Sequence, residues 1–578
     1  MRLTPFSFFI FTLASPLCLF AQDLNREIPE SPVPEMDFPE PAAGAEMDSE
    51  VGYAGAFEGE DILLERLKGI RLVPSPDQVE ISFSSDRIEV ATDLSMLNIP
   101  DFRDSLRAFL DQPVSRQSLQ RLEEVIRLFL AGSQYPFSLV YTPPQDITDG
   151  RVALVVEKSV LSEVEIQNNE VYPEATFRKW IRQEMGNPIQ AEELSQDIAW
   201  INRHPYRQVR PVFRPGSEPA TTRLILQANE ARSWNGFLGY NNSGTATTEL
   251  DRITGGVNWG NVLGEDIAGV SFSIDPKAEN FRALSVNYTR YLPVRHILTL
   301  SAVYSETDGI VDPPFSLDGL SYQVVGEYEI PMQPGMGGRL TQSAYLGVDF
   351  KASDNNFAFA QNPITDNLTH VLQARIGWRG QWRVDERSAL SFDFHLTSAP
   401  GGLTSKNEDE FFTVSRLDAE SKYSIMGVDL NYGRRLSANL QYSARFWGQL
   451  SSDRLIGSEQ FGAGGVSGPR GYEEGEAYTD NGVGLTQELS FRRVSFGGDD
   501  GSSGSAQGYV FFDAAHGWNV DPSAGEIDPD LASVGVGLRF SLPGNLSGNA
   551  AYGWQLEESG LGEPGDDQRF HLSFRARF

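Results

Sequence analysis

One arginine stands apart in a long glycine-rich stretch and is the strongest candidate for a functional charge. Its segment, roughly 451–480, has neither helix nor strand periodicity, and long connections of this kind in ordered domains are usually functional or disordered. A guanidinium that enters a confined space needs an anion, because an unpaired buried charge is costly. The alternative is a solvated arginine on a surface loop. The residues in question run Gly468-Pro469-Arg470-Gly471-Tyr472.

The candidate anion is Asp513, further along the chain. In a strand with alternating faces, Tyr509, Phe511 and Asp513 share one face, and the opposite face carries Val510, Phe512 and Ala514. We expect a fork of hydrogen bonds from Arg470 to Asp513, with the guanidinium against Phe511 or Tyr509. The two aromatic rings would then form a seat for the incoming loop.

The elements that must carry this site are strands, because the chain from about 233 to 578 alternates between apolar and small or polar residues. The pattern predicts a 16-stranded antiparallel transmembrane β-barrel over 231–578, with apolar side chains toward lipid and a polar lumen. A soluble sandwich would show a similar alternation, so the even strand count and the loops decide between them. The counted strands begin near residues 233, 252, 266, 281, 297, 320, 340, 371, 387, 421, 436, 482, 508, 531, 546 and 568.

The connections between these strands alternate between short and long, as expected if short turns face the periplasm and long loops face outside. We expect the long loop 451–481 to fold into the lumen, where the Gly-rich approach to Arg470 lets the backbone enter. One connection, 495–506, breaks the alternation because it should be periplasmic and is long. The expected long connections are Asn355–His370, Ala399–Ala419, 451–481 and His516–Asp530.

Two smaller units precede the strands, at 67–158 and 159–230. Each reads β-α-α-β-β, which predicts two small α+β domains. A sheet of this kind leaves a strand edge free, and such an edge can accept an extended peptide as an additional strand. The alternative is that the two units are structural spacers.

The N-terminal segment 1–21 reads as a secretory signal peptide, with Arg2 before a largely apolar run. Residues 22–66 are rich in Pro, Glu and Asp and predict an extended, solvated linker. The only cysteine, Cys18, falls within the signal segment, so the mature chain would have no thiol. A buried N-terminal helix is the alternative for 1–21.

Composition and motifs argue against several function classes. The formal net charge of −32 argues against nucleic-acid binding, which needs a basic face. The six histidines are scattered without metal-ligand spacing, and the chain has no phosphate-binding loop and no nucleophile elbow. We therefore expect no enzyme activity, no catalytic residue, no metal and no cofactor.

In the order of these features, the chain resembles the outer-membrane transporters of two-partner secretion, the haemolysin and filamentous-haemagglutinin exporter family. Gly468–Tyr472 corresponds to that family's Val-Arg-Gly-Tyr loop, and Phe511, Asp513 and Ala515 correspond to its Phe-x-Asp-x-Gly strand. The N-terminal units resemble its two POTRA domains. Departures are Pro469 for the usual valine, Ala515 for the usual glycine, and no clear counterpart of the plug helix. Further matching stretches are 143–147, 149–150, 155–157, 202–205, 215–216 and 240–244.

The resemblance implies an outer-membrane translocator that recognises an unfolded partner exoprotein through periplasmic POTRA domains and secretes it through the barrel. The implied partners are that secreted protein, outer-membrane lipid and the barrel-assembly machinery, which would read the apolar face of the last strand. Open alternatives are a barrel-assembly factor of the same superfamily, a passive porin and, weakest, an enzyme. The terminal face consists of Phe570, Leu572, Phe574 and Phe578.

Overall fold

A computed structural model describes residues 62–79, 87–132, 135–264, 266–310, 315–359, 362–497, 504–561 and 567–578. The chain divides into two compact units, one through Arg232 and one from Ser233 to Phe578. The predicted signal peptide, 1–21, and most of the predicted linker, 22–66, lie outside the described residues. The described end of that linker differs from the expectation, because Ile62–Leu64 forms a strand that pairs with Val114–Ser115 of the first POTRA-like domain.

The first α+β domain has a mixed sheet in the order β3-β2-β6-β5, with β2 parallel to both of its neighbours. Apolar residues of α1, α2 and the sheet form one buried cluster that includes Phe102, Ile126 and Leu154. The helix α2 begins at a reciprocal cap: Ser118 N–H donates to Ser115 Oγ, and Ser115 N–H donates to Ser118 Oγ. Its elements are β1 (Ile62–Leu64), β2 (Gly69–Val73), β3 (Ile88–Val90), α1 (Pro100–Arg107), β4 (Val114–Ser115), α2 (Arg116–Ala131), β5 (Leu139–Tyr141) and β6 (Arg151–Glu157).

The second α+β domain has three strands in the order β7-β9-β8, with β7 parallel and β8 antiparallel to β9. Trp180 and Trp200 pack edge to face, with ring centroids 5.5 Å apart, on its helical side. None of the helices in the described residues is long and apolar enough to cross a membrane. The elements are β7 (Val160–Gln167), α3 (Glu174–Arg178), α4 (Ala191–Ile201), β8 (Arg207–Pro215) and β9 (Thr221–Glu230).

The second unit is a closed antiparallel barrel in which the first strand, β10, pairs with the last, β28. It has sixteen strands when β23 and β24 are taken as one interrupted strand, because both pair with β25. The strands are β10 (Trp234–Asn241), β11 (Arg252–Gly260), β12 (Asp266–Ile274), β13 (Phe281–Tyr291), β14 (Ile297–Gly309), β15 (Phe315–Pro331), β16 (Leu340–Phe359), β17 (Asn362–Asp385), β18 (Ser388–Pro400), β19 (Lys422–Arg435), β20 (Leu440–Ser451), β23 (Asn481–Phe491), β24 (Val494–Phe496), β25 (Gly504–Trp518), β26 (Asp530–Leu542), β27 (Leu546–Gln555) and β28 (Gln568–Arg577). The connections hold β21 (Phe461–Ala463), β22 (Ala477–Thr479) and α5 (Asp409–Ser415).

The two faces of the barrel wall follow the alternation of the sequence. In β13, Leu284 and Val286 are 47% and 44% exposed, whereas Ala283 and Ser285, which alternate with them, are buried. Apolar side chains therefore point outward from a closed sheet, which is the arrangement that lipid requires.

One expected loop is strand instead. Residues 355–370 were expected to form a long extracellular connection, but β16 continues to Phe359 and β17 begins at Asn362. The two strands stay paired from Leu340 opposite Trp382 up to Phe359 opposite Asn362. Ladder pairing continues past the apolar part of the wall, so the loss of apolar alternation there does not mark the end of the strands.

Candidate functional site

The connection between β20 and β23, residues 452–480, folds against the inner face of the barrel. It contains the short hairpin β21–β22, and Phe461 stacks on Trp447 of β20 with ring centroids 6.4 Å apart. The buried cluster around it includes Tyr472 of the loop, Ala515 of β25 and Leu531 of β26. The loop is therefore packed between strands on the interior side.

At the tip of this loop, Arg470 meets Asp513 of β25 in a three-point contact. The Arg470 Nε lies 2.7 Å from Asp513 Oδ2, and its Nη2 lies 2.9 Å from Oδ1. The main-chain N–H of Arg470 also donates to Oδ2, at 3.0 Å. Both side chains are buried, with Asp513 fully so. Such a fork fixes the orientation of the guanidinium as well as its position.

A second carboxylate completes the charge balance, and the sequence analysis missed it. Glu488 of β23 accepts from Arg470 Nη1 at 2.6 Å and from Arg539 Nη2 of β26 at 2.5 Å. Two guanidinium groups thus face two carboxylates, which leaves no net charge in the cluster of Arg470, Asp513, Glu488 and Arg539. The alternation of faces along β23 could have indicated it, since Glu488 stands opposite Phe511 on the neighbouring strand and so faces the same side of the wall.

Two aromatic rings form the floor under the arginine. The Arg470 guanidinium carbon lies 3.7 Å from the centroid of Phe511 and 5.8 Å from that of Tyr509. The rings lie over Gly535 and Gly537 of β26, where an added Cβ would come within 2.2 Å of Phe511 and 2.1 Å of Tyr509. Glycines on one strand therefore make room for the aromatics of the next.

The backbone next to Arg470 contacts β27 and β28, two and three strands along the wall from β25. Gly471 N–H donates to His571 Nε2 of β28 at 3.2 Å, and the Gly471 carbonyl accepts from Gln555 of β27 at 2.8 Å. An added Cβ at Gly553 of β27 would lie 2.7 Å from the Gly471 nitrogen, so only glycine lets the two backbones approach. Pro469 follows Gly468 in the same turn, through a cis peptide bond.

Tyr472 extends the contact to the extracellular ends of β26 and β27. Its hydroxyl accepts from the Ala532 N–H at 2.9 Å and donates to the Glu557 carbonyl at 2.6 Å. Because the side chain is fully buried, both hydrogen bonds are shielded from water. The structure thus brings Gly468, Arg470, Gly471 and Tyr472 together with Tyr509, Phe511 and Asp513 in one site.

The loop has a second attachment, at its base, on the strands across from β25. Glu459 accepts from Lys351 of β16 at 2.8 Å and from Gln373 of β17 at 3.0 Å. Lys351 also lies 3.5 Å from Asp349, and all three charged side chains are buried. This group has no signature in the sequence, because its members come from two strands and a loop and no local motif marks them.

The predicted terminal residues lie apart from this site. Phe570, Phe574 and Phe578 are 46%, 40% and 64% exposed and point outward from β28, with Leu572 on the same face and half-buried. The described residues hold no group of three or more His, Cys, Asp or Glu side chains arranged to bind a metal ion. What the arrangement can do is hold a loop across the lumen by charge pairing.

Comparison with known proteins identifies the family to which this architecture belongs. A model of the family "Haemolysin secretion/activation protein ShlB/FhaC/HecB" matches residues 220–540, more than half of the chain. The heme/hemopexin transporter protein HuxB of Haemophilus influenzae is 22% identical over 503 residues, 82% of this chain and 83% of that protein. The outer membrane transporter CdiB of Escherichia coli is 23% identical over 462 residues, 75% of this chain and 74% of that protein.

Solved structures show the same fold. CdiB from Escherichia coli superposes with a TM-score of 0.69 at 16% identity, covering 90% of this chain and 92% of that one. CdiB from Acinetobacter baumannii superposes with a TM-score of 0.59 at 18% identity, and the match covers 90% of this chain and 91% of that one. With a 16-stranded barrel behind two POTRA domains and a family match over more than half its length, the chain belongs to the ShlB/FhaC/HecB haemolysin secretion/activation family, the outer-membrane transporters of two-partner secretion, whose POTRA domains lie in the periplasm.

Proposed function

We propose that this chain exports an unfolded partner exoprotein, which its POTRA domains capture in the periplasm and its barrel conducts to the outside. The supporting observation is that the interior is occupied by a loop that charge pairs attach to the wall, at Arg470–Asp513 and at Lys351–Glu459. Contacts of this kind separate without unfolding the strands around them. The Arg470–Asp513 pair keeps the loop in place, Tyr509 and Phe511 seat it, and its withdrawal opens the path.

One edge of the second POTRA sheet is poorly suited to capture. Both main-chain groups of Val209 on β8 bond to the Asn202 side chain, at 2.7 and 3.1 Å, so this residue faces the outer edge. By the alternation of an antiparallel ladder, residues 211, 213 and 215 face the same edge. Pro211 and Pro215 have no N–H group that could donate to an added strand. The Phe213 ring packs on the Phe137 ring, with centroids 4.1 Å apart. An added strand would find few donors on β8.

The opposite edge, β7, is better suited. Its start is covered, because Leu161 exchanges hydrogen bonds with Gly186 and Asn187. Beyond that point, residues 163–167 have no strand beside them in the described part of the sheet. We place the capture of an extended partner segment here, by addition of a strand.

Removal of residues 160–229 tests capture as a whole. Secretion of the partner protein should be lost while a heat-modifiable barrel still accumulates in the outer membrane. Normal secretion by this deletion would show that the second POTRA domain is dispensable and would refute the proposal.

A photo-crosslinking amino acid tests which edge is used. Glu163 on β7 and Arg214 on β8 are both exposed and form a matched pair of sites on one sheet. During export, the partner should crosslink to position 163 and much less to position 214. The reverse ratio would move the capture site to β8.

We also propose that the barrel-assembly machinery reads the outward apolar face of β28, which then meets outer-membrane lipid. Phe578 is 64% exposed, and its N–H still donates to the Gly236 carbonyl of β10 at 2.9 Å. Deletion of Phe578 should lower the amount of folded barrel, measured by heat-modifiable migration. Phe578→Leu keeps an apolar end and is the control; equal amounts of wild type and deletion would contradict the assignment.

A further inference from the structure

Three extracellular loops meet in a cluster of buried and partly buried charges that is separate from the Arg470 site. Residues 401–421 contribute Arg416, the loop 452–480 contributes Arg454 and Asp480, and residues 519–529 contribute Glu526. We call these four residues the outer clasp. Arg454 and Asp480 stand near the two ends of the in-folded loop, just beyond β20 and before β23.

Asp480 joins all three loops at one carboxylate. It receives a hydrogen bond from Arg416, and it accepts from the N–H of Leu455 and the N–H of Val520, each at 2.9 Å. The Asp480 side chain is fully buried. A buried carboxylate with a cation and two N–H donors is well compensated, whereas the loss of any one partner leaves it short of hydrogen bonds.

Arg454 and Glu526 form the second half of the clasp. Arg454 Nη1 and Nη2 donate to the two Glu526 oxygens at 3.0 and 2.9 Å. The same guanidinium donates to the carbonyl of Leu417 at 3.0 Å and to that of Asp521 at 2.7 Å. Arg454 therefore links the loop 401–421 to the loop 519–529. Arg416 adds contacts to Glu526 at 3.1 Å and to Asn519 at 2.9 Å.

The electrostatics of this cluster agree with its geometry. Burial alone would raise the pKa of Glu526, but hydrogen bonds from Arg454, the Ser523 main chain and Arg416 lower that pKa to about 2. Two cations face two anions, so the cluster is neutral. All four side chains come from loops, so the clasp can open without breaking a strand ladder.

We propose that the outer clasp is a second closure of the transporter, a lock between extracellular loops that must part before the partner protein can leave. This inference rests on the proposed export function. It assigns the tip at Arg470 to closing the lumen and the outer clasp to closing the mouth. The two closures share the loop 452–480 but no charged residue.

A reversible covalent staple tests the lock. Leu417 and Asp521 are exposed residues of different loops whose carbonyls bind the same Arg454 guanidinium. A Leu417→Cys/Asp521→Cys variant, joined by a short bis-maleimide with a reducible bridge, should lose secretion and regain it on reduction. Each single-cysteine variant, treated in the same way, is the control and should secrete normally.

Secretion by the stapled variant at the level of the reduced one would overturn the proposal. If neither the wild type nor the reduced variant secretes any partner, the export function itself fails, which is a different outcome. A second arm needs no partner protein: Arg454→Ala and Glu526→Gln should raise the ion conductance of the purified protein in planar bilayers. Glu420→Gln removes an exposed carboxylate from the same region as a control, and equal conductance in all three variants would also refute the lock.

Discussion

The loop 452–480 is attached to the barrel wall at its tip and at its base, and the two attachments are built differently. At the tip, Asp513 accepts three hydrogen bonds from Arg470, two from the guanidinium and one from the main chain. At the base, Glu459 shares its oxygens between Lys351, Gln373 and Ser458, at 2.8, 3.0 and 2.9 Å. The Asp513 carboxylate therefore takes these hydrogen bonds from a single residue, whereas the Glu459 carboxylate takes its hydrogen bonds from three.

This difference determines what each site would lose with its cation. Without the Arg470 side chain, the fully buried Asp513 loses both guanidinium hydrogen bonds and keeps only the main-chain N–H of residue 470. Without Lys351, Glu459 keeps the amide of Gln373, and Asp349 keeps the amides of Gln323 and Gln373. We therefore infer that loss of the cation weakens the tip more than it weakens the base.

The largest effect should come from breaking the tip. Arg470→Ala should weaken the attachment by about 3–5 kcal/mol, because it leaves the buried Asp513 without a cation. Asp513→Ala should weaken it less, because Arg470 still pairs with Glu488. The barrel should assemble, secretion should fall sharply, and conductance in planar bilayers should rise. In a double-mutant cycle the two losses should be strongly non-additive; simple addition would mean that the residues act separately.

Arg470→Lys is the matched variant for this test. It keeps the positive charge and loses the planar fork, so it should also be impaired, though less than Arg470→Ala. Wild-type secretion by Arg470→Lys would show that charge alone holds the tip.

A smaller effect should come from the base. Lys351→Met should weaken that attachment by about 1.5–3 kcal/mol, the usual value of a hydrogen bond to a charged group, because the amides remain in place. Conductance should rise less than in Arg470→Ala. Lys422→Met, at an exposed lysine of β19, is the control. A Lys351→Met variant as defective as Arg470→Ala would erase the proposed contrast between tip and base.

Steric pressure on the tip should give a further graded effect. Gly553→Ala would place a Cβ 2.8 Å from the Gly471 Cα, and overpacking of this kind costs about 1–3 kcal/mol. Gly508→Ala is the matched control, since its nearest neighbour would be 3.7 Å away. Conductance and secretion should change in the first variant only; equal behaviour would mean that the tip can shift at no cost.

The smallest effect concerns acidity at the outer clasp. The pKa of Glu526 is about 2 in the folded loops against an ordinary 4.5, so its contribution is complete above pH 4.5 and is lost as the pH falls toward 2. Wild-type conductance should therefore stay constant from pH 8 to about 5 and rise only under stronger acid. A rise between pH 8 and 6 would show that another group controls the mouth.

The barrel could be predicted closely from sequence where lipid constrains the chain. The expected strand starts at Arg252, Asp266, Leu546 and Gln568 coincide with the structure, because outward residues in that zone must be apolar. The failure lies in 355–370, where the polar residues Asp354 and Asn356 lie on paired strands above the apolar band. There, hydrogen bonding between strands maintains a structure that hydrophobic alternation does not mark.

The site itself was predictable only in part. Arg470 stands out locally as a charge among small residues, and Asp513 stands out beside two aromatics. Glu488, His571 and Gly553 become visible only when the strand register is known, because each comes from a different strand of the wall. A charge that meets its partner on a separate strand leaves no local pattern in sequence.

The long strands β16 and β17 have a consequence for the surface of the cell. Beyond Phe350, whose ring packs on Tyr322, β16 continues to Phe359. At about 3.3 Å per residue this is about 30 Å of strand. With a tilt of about 40°, it rises about 23 Å beyond Phe350. The paired ends of β16 and β17 therefore form a raised wall on one side of the barrel mouth, and we expect a polypeptide that leaves the pore to be directed away from that side.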